Sequence, residues 1–185
     1  MSSIRTLVLL AAAAACSATH AQDNAGARWP ITDVSAPTTE IAIELRVSIA
    51  PAVSVGQSDA GTRQFIPITG GRFKGDGIQG EVVAGGADWQ LVRPDGTALL
   101  EARYTLRTKD GALVYVRNRG VRSGPPEVLA RLARSEAVDP ASYYFRTRPE
   151  FETGAPQYAW LNDLLAVCSA VRAANAVTLD FYAVR

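Results

Sequence analysis

Histidine, cysteine and lysine are scarce in this chain, and their scarcity excludes several kinds of chemistry. The only histidine, His20, and one of the two cysteines, Cys16, lie within residues 1–21. If that segment is removed, Cys168 remains as a single thiol without a partner for a disulfide. Zinc sites are built mainly from cysteine and histidine, and Ser-His-Asp or Cys-His catalysis needs an imidazole. We therefore predict no metal site, no cofactor and no histidine-dependent nucleophile.

The charge of the chain is balanced, and this limits its partners. The sequence has 19 basic and 18 acidic residues, and Arg5 is the only charged residue within residues 1–21. The remainder is electrically neutral, without the excess of positive charge that binds nucleic acids or anionic membranes. The lysines, Lys74 and Lys109, lie in glycine-containing turns, so we expect no desolvated lysine for Schiff-base chemistry. Reactive groups would have to be carboxylates, tyrosines, arginines or backbone amides, and we predict no nucleic-acid partner.

The first 21 residues have the pattern of a cleavable secretory signal. Arg5 supplies one positive charge, an uncharged apolar run extends from Thr6 to Ala15, and small residues precede Gln22. The apolar run is about ten residues long, whereas a membrane-spanning helix needs about 20. The sequence therefore predicts cleavage after Ala21, a periplasmic or secreted protein, and no membrane span. A buried N-terminal helix and a lipoprotein signal at Cys16 are the alternatives.

Beyond the signal, the pattern is that of an extended lead-in at residues 22–39 and a single β-rich domain at residues 40–185. Residues 41–49 alternate apolar and polar side chains, and Asp-Gly pairs at 95–96 and 110–111 bracket another alternating run. Only Pro126 to Asp139 has a helical pattern. Many short strands with one short helix predict an all-β fold, either an antiparallel sandwich or a barrel. The remaining predicted strands are residues 89–92, 98–107, 113–116, 142–148, 164–172 and 177–184.

Residues 75–80 read Gly-Asp-Gly-Ile-Gln-Gly and match the dinucleotide-binding fingerprint G-x-G-x-x-G. That fingerprint binds a pyrophosphate only where a buried strand precedes it and a helix follows it. Here the residues that follow, Glu81-Val82-Val83-Ala84, have a strand pattern. We interpret these glycines as bends and close strand crossings.

Seven short phrases follow one another along residues 40–184. They are Ile68-Thr69-Gly70-Gly71, Gly85-Gly86-Ala87-Asp88-Trp89, Glu101-Ala102-Arg103-Tyr104, Asp110-Gly111-Ala112, Tyr144-Phe145-Arg146-Thr147, Phe151-Glu152-Thr153 and Trp160-Leu161-Asn162. In this order they resemble the bacterial and fungal family called domain of unknown function 3237. The resemblance implies a compact antiparallel β-barrel of lipocalin-like shape, and some fungal relatives are thought to act as isomerases or cyclases on phenolic compounds. This chain departs from the family pattern at Glu101, where aspartate is common, and around Cys168, where glycine is common.

The polar and aromatic residues of these phrases, together with Tyr115, are candidates for a binding site. We hypothesise that the mouth or lumen of the barrel binds a small molecule that is partly aromatic or anionic. Arg103 and Arg146 would hold its anionic group through paired hydrogen bonds. Aromatic contact area would come from Trp89, Tyr115, Tyr144 and Trp160.

Two other functions remain open. In a cofactor-free isomerase, cyclase or lyase, Asp88 or Glu152 would transfer a proton, and Arg103 or Arg146 would stabilise an enolate or phenolate. An envelope interaction protein would have no pocket at all. Catalysis requires a carboxylate and an arginine in one cavity, so we expect Asp88, Arg103 and Arg146 to share a pocket in the lumen. The sequence leaves the ligand and the oligomeric state open.

The orientation of Arg103 decides that expectation. Strand alternation groups Arg103 with Glu101, opposite Leu100 and Tyr104, and a soluble barrel normally turns its apolar face inward. The family resemblance favours the reverse, with Arg103 inside and balanced by Asp88 or Glu152. We adopt the second expectation.

Overall fold

The computed structural model describes residues 36–185, so the predicted signal peptide and residues 22–35 of the lead-in lie outside the described residues. One α-helix, α1, spans Pro126–Ala133, and 3₁₀ turns span Pro140–Ser142 and Pro156–Asp163. The strands are β1 (Thr39–Ile49), β2 (Val53–Ser58), β3 (Gly61–Gly75), β4 (Ile78–Val92), β5 (Ala98–Thr108), β6 (Leu113–Ser123), β7 (Tyr144–Glu152), β8 (Ala166–Arg172) and β9 (Ala176–Val184).

The strands form a closed antiparallel β-barrel. They pair in the order β1-β9-β8-β7-β6-β5-β4-β3-β2, and a further pairing of β1 with β3 closes the ring. Eight strands therefore make the barrel, while β2 lies outside it and pairs with β3. The predicted all-β antiparallel barrel is confirmed. No helix in residues 36–185 is long and apolar enough to cross a membrane.

Alternation of side chains fills the interior. On β5, Leu100, Tyr104 and Leu106 are buried, whereas Arg103 between them and Arg107 after them are exposed. A continuous hydrophobic core joins such inward residues from the barrel strands to the apolar face of α1. This is the pattern expected when a soluble barrel buries one face of each strand.

Glycines allow β3 to bend and change the face it buries. Ile66 and Ile68 are buried before the bend and Phe73 after it, and this odd spacing is accommodated by one extra residue of β3 in its pairing with β1. Gly70 and Gly71, at the bend, have φ values of 143° and 142°. A Cβ on Gly71 would also lie 2.3 Å from the carbonyl oxygen of Arg46 on β1, so a side chain there would collide with the neighbouring strand.

The fingerprint-like residues 75–80 form the hairpin between β3 and β4. Gly77 has a φ of 68° in the turn. Cβ atoms on Gly75 and Gly80 would lie 2.3 Å and 2.0 Å from backbone oxygens of β1 and β5. The glycines therefore serve a tight turn and close strand approaches, as interpreted, and no helix follows them.

The two ends of the barrel are closed differently. The end near the β5–β6 turn is closed by the 3₁₀ turn Pro156–Asp163, whose Leu161 is fully buried. Asp110 in the β5–β6 turn accepts hydrogen bonds from Thr108, from Gln157 Nε2 (3.0 Å) and from the Tyr158 hydroxyl (3.2 Å). These bonds, first that from Thr108, lower the pKa of Asp110 to about 2.

Helix α1 covers the other end through Leu129 and Leu132. It begins at Pro126 as predicted but ends at Ala133, so the predicted extension to Asp139 is wrong. Asp139 instead starts a separate 3₁₀ turn, where its Oδ1 accepts a hydrogen bond from the Ala141 amide (3.0 Å). An Asp-Pro pair is favourable at the start of such a turn because the proline supplies no amide that needs an acceptor.

Candidate functional site

A cavity of about 50 Å³ lies inside the barrel near α1. Its apolar wall comes mainly from β1, β3, β5, β7 and β9. A larger groove of about 480 Å³ lies between α1 and the rim of the barrel, and we call it the α1 groove. Ile66, Arg122 and Arg172 line both spaces, so the cavity and the groove are adjacent. The polar residues that line the cavity are Asp88, Gln90, Tyr104, Asn118, Arg122, Thr147 and Arg172.

Among the described residues that line this cavity, Asp88 is the only one with a carboxylate. Its Oδ2 accepts a hydrogen bond from Gln90 Nε2 (2.6 Å), and its Oδ1 accepts one from the backbone amide of Glu101 (3.1 Å). Gln90 is held in turn by Gln64, whose Nε2 donates to Gln90 Oε1 (3.0 Å). Asp88 is half-buried. Part of its surface borders the cavity, and the barrel wall surrounds the rest of the side chain.

Burial raises the pKa of Asp88 above its ordinary value of 3.8, although the bond from Gln90 and the charge of Arg122 act in the opposite direction. Removal from water penalises the charged form of a carboxyl group, and here that penalty is the largest effect. Asp88 therefore retains a proton to a higher pH than an exposed aspartate does. Such a group can act as a general acid or base.

Two arginines face Asp88 from other strands: Arg122 near the end of β6 and Arg172 at the end of β8. Burial lowers the pKa of both, and together with the charge of Arg122 it lowers that of Arg172 to about 10. Arg172 therefore remains charged at neutral pH, and Arg122 is charged there as arginines in proteins generally are. Neither forms an ion pair within residues 36–185, whereas Arg103, Arg117 and Arg119 on the outer face each pair with a glutamate.

Four buried polar atoms in the described part of the chain have no hydrogen-bond partner. They are Tyr104 Oη, Asn118 Oδ1, Thr147 Oγ1 and Arg172 Nη1. All four belong to residues that line the cavity. Buried polar atoms are normally satisfied, so their concentration around one space indicates that this space receives polar groups of a ligand or water.

Of the predicted site residues, Asp88 lines the cavity. Arg103 does not. The side chain of Arg103 is 52% exposed, and its guanidinium bonds to Glu101 on the outer face of β5. The expectation of an inward Arg103 is therefore wrong. Alternation along β5 gives the inward positions to Leu100, Ala102 and Tyr104, and a rigid pleat cannot turn the residue between them inward as well.

The other predicted residues also lie outside the lumen. Trp89 follows Asp88 on β4, faces outward and packs on Phe65 with 4.8 Å between ring centroids. The guanidinium of Arg146 lies 5.5 Å from the ring centroid of Tyr144 on the outer surface. The expected pocket containing Asp88, Arg103 and Arg146 together does not form. Tyr115, Tyr144, Arg146, Glu152 and Trp160 are all exposed.

Sequence reasoning missed Arg122 and Arg172, although a signal for them was present. The predicted strand at 113–116 ended too early, but continuing its alternation from Val114 and Val116 places Arg122 on the inner face. The same alternation from Ala166 places Arg172 inside. Arg122 was missed because the polar end of its strand resembles a loop, whereas Arg172 is the last residue of the predicted strand 164–172 and its inward position was not drawn from the alternation.

The buried position of Asp88 predicts a distinctive dependence of stability on pH. Because its pKa is raised in the folded state, the native protein binds this proton more tightly than the unfolded chain does. The stability contributed by this group is fully present below the unfolded pKa and is lost as pH rises through the folded pKa. In urea denaturation, Asp88→Asn should therefore gain stability relative to the wild type between about pH 4.5 and pH 8. An equal difference at both pH values would contradict the raised pKa.

The chain is similar to known proteins that share this barrel fold. The family profile described as "Protein of unknown function (DUF3237)" matches residues 37–184. A UPF0311 protein of Rhodopseudomonas palustris is 48% identical over 146 residues, which cover 79% of this chain and 95% of that protein. A crystal structure described as a beta-barrel like protein from Acinetobacter baumannii matches with a TM-score of 0.73 and 42% identity, over 83% of this chain and 99% of that one. A more distant relative, the hydroalkoxylation enzyme phnH of Penicillium herquei, is 27% identical over 130 residues, 70% of this chain and 72% of that enzyme.

Proposed function

Because this chain belongs to the DUF3237 family of β-barrel proteins, which has an enzyme among its distant relatives, we propose that its lumen is a cofactor-free active site. The reaction is the transfer of a proton within a small, partly aromatic molecule, as in an isomerisation, a cyclisation or the addition of O–H across a double bond. The observation that carries the proposal is Asp88, a carboxyl group of raised pKa that faces, in one cavity, two arginines without an ion-pair partner in residues 36–185.

Asp88 is the proton-transfer group in this proposal. Because burial raises its pKa, this carboxyl group keeps its proton to a higher pH than an exposed aspartate does, and it can donate that proton to a carbon or oxygen atom and recover one from another atom. The bonds from Gln90 and from the Glu101 amide hold both carboxyl oxygens at fixed positions. A fixed acid loses little entropy when the substrate reacts.

Negative charge that develops on an enolate or phenolate oxygen would be stabilised from the strands that follow β4 in the sheet, β5 and β6. Arg122 supplies a fixed positive charge, and the free Tyr104 hydroxyl supplies a hydrogen-bond donor. Burial raises the pKa of Tyr104, so this hydroxyl keeps its proton. Donors arranged in advance in a low-dielectric cavity stabilise a developing oxyanion more than water does.

The distant relative supports this reaction class. Hydroalkoxylation adds an alcohol or phenol O–H group across a carbon–carbon double bond, which moves a proton to carbon without any change of oxidation state. Such a step needs an acid, a base and a shaped cavity. The lumen has a carboxyl group that can serve as either.

Binding without catalysis is the second candidate function. It is favoured by the four unsatisfied polar atoms around the cavity, because a bound polar ligand would satisfy them without any reaction. The outer face offers less support for a ligand, since its arginines are mostly paired with glutamates.

Deuterium exchange distinguishes the two candidates. The protein is incubated in D₂O with enolisable aryl ketones and with 2-allylphenol, and NMR follows the uptake of deuterium at carbon and the formation of a cyclised ether. Catalysed exchange or cyclisation above the protein-free rate supports the enzyme. Saturable binding of these compounds with no exchange at any carbon contradicts it and leaves the binding module.

We also propose that the protein acts outside the cytoplasm, on the basis of the signal pattern in residues 1–21. Intact-mass measurement of protein from the envelope and culture medium should give a chain that begins at Gln22. A mass that retains residues 1–21 would contradict export by cleavage after Ala21, and a diacylglycerol adduct on Cys16 would show the lipoprotein alternative.

A further inference from the structure

We propose that Arg122 and Arg172 form a paired anion site where the lumen meets the α1 groove, and that the molecule bound there carries a carboxylate or a similarly compact anionic group. This inference deepens the proposed function, since it rests on the use of the lumen by a small molecule. It adds the charge of that molecule and the position of its charged group.

The first support is the absence of a counter-ion for the pair. Neither Arg122 nor Arg172 has a carboxylate within ion-pair distance in residues 36–185, and the charge of Arg122 is unfavourable to that of Arg172. Two like charges in a partly buried space are costly unless an anion joins them. Nine arginines elsewhere in the described chain have such a partner, and these are Arg93, Arg103, Arg107, Arg117, Arg119, Arg131, Arg134, Arg148 and Arg185.

The second support is the availability of donors. Nη1 of Arg172 is buried and bonds to nothing in the described chain. The guanidinium of Arg122 lies 5.8 Å from the ring centroid of Phe145, so its face is covered while its edge remains for hydrogen bonds. Guanidinium edges match the two oxygens of a carboxylate and bind it through parallel hydrogen bonds.

Asp88 is not the counter-ion of the arginine pair. Its two oxygens already accept hydrogen bonds from Gln90 and Glu101, and it forms no ion pair with either arginine. The other titratable groups that face the pair are Tyr104 and Tyr143, and the hydroxyl of Tyr143 already accepts a hydrogen bond from the Arg172 amide (3.0 Å). The two arginines carry two positive charges against the single carboxyl group of Asp88, so the site keeps a net positive charge even when Asp88 is ionised.

The sizes of the two spaces determine how a ligand would lie. The cavity of about 50 Å³ accommodates a few water-sized groups, which is enough for a carboxylate but too little for an aromatic ring. The α1 groove of about 480 Å³ has room for the rest of the molecule beside Val92 and Leu129. Because both arginines border both spaces, an anionic group held by them would anchor a body that lies under α1.

Calorimetric titration with benzoate and benzamide tests the site without any need for catalysis. The two probes have nearly the same size and differ in charge. At pH 7 and low salt, benzoate should bind the wild type at least tenfold more tightly than benzamide does. Arg122→Gln and Arg172→Gln should each weaken benzoate binding by about tenfold or more and leave benzamide binding unchanged.

Arg103→Gln is the matched control, because Arg103 is paired with Glu101 on the outer face. It should bind benzoate as the wild type does. Both lumen variants should fold, since each removes one of two like charges, and thermal melting checks this. Arg172→Lys, which keeps the charge but not the planar fork, should fall between the wild type and Arg172→Gln.

Benzoate and benzamide binding equally well would overturn the anion site, as would benzoate binding unchanged in Arg122→Gln and Arg172→Gln. The proposed catalysis fails separately. If benzoate binds through the two arginines but no compound undergoes exchange in D₂O, the anion site stands and the enzyme does not. If neutral ketones undergo exchange at the same rate in the wild type and in Arg172→Gln, and benzoate does not bind, the enzyme stands and the anion site does not.

Discussion

Asp88→Asn is expected to reduce catalysed exchange or cyclisation by about 10²-fold to 10⁴-fold, the range that general acid–base catalysis typically contributes. Asparagine has nearly the same shape but can neither donate nor accept a proton at neutral pH. Its amide can still bond to the Glu101 amide and, if Gln90 and Gln64 rotate, to Gln90. Initial rates of deuterium uptake measure this effect, and benzoate titration verifies that the lumen still binds.

Glu152→Gln is the matched control for that loss. Glu152 is the other carboxylate that the sequence offered for proton transfer, and it lies exposed on β7 opposite Tyr115. Its amide variant should retain the wild-type rate. A rate unchanged in Asp88→Asn, or a larger loss in Glu152→Gln, would remove Asp88 from the proposed mechanism.

Phe181→Ala is expected to destabilise the barrel by about 3–5 kcal/mol, the usual cost of deleting a buried aromatic ring. Phe181 on β9 is 0% exposed and makes an edge-to-face contact with Phe151 of β7, with 5.7 Å between centroids. Its removal leaves a void between these parts of the barrel wall. The urea midpoint, with an unchanged slope, measures the loss.

Leu165→Ala provides the comparison, because Leu165 is 58% exposed just before β8. It should change the free energy of unfolding by no more than about 0.5 kcal/mol. If Phe181→Ala is no more destabilising than Leu165→Ala, the core does not depend on contacts across the barrel interior at Phe181.

The period-two pattern predicted most of the barrel wall from the sequence. The prediction for residues 98–107 differs from β5 by one residue, and its buried face contains Leu100 and Tyr104 as alternation requires. It failed for β3, where the glycine bend at residues 70–71 shifts the buried face by one position. A bulge of that kind interrupts alternation, so neither face shows a continuous apolar pattern in the sequence.

The site was harder to predict than the wall, for a physical reason. Asp88 was found because it belongs to the phrase Gly85-Gly86-Ala87-Asp88-Trp89. Arg103 was misplaced because family resemblance was preferred to alternation, and the pleat of β5 turns it outward. Arg122 and Arg172 lie at strand ends where polar residues are common, and only the three-dimensional closure of the barrel brings β6, β8 and β4 around one cavity.

A crystal structure of the protein with benzoate bound tests the central claim most directly. The claim is that the lumen, and not the outer face with its exposed aromatic residues, is the binding and reaction site. The account predicts carboxylate oxygens within hydrogen-bond distance of the guanidinium groups of Arg122 and Arg172, with the ring in the α1 groove. Benzoate bound on the outer face beside Tyr144 and Arg146, with the lumen unoccupied, would contradict it.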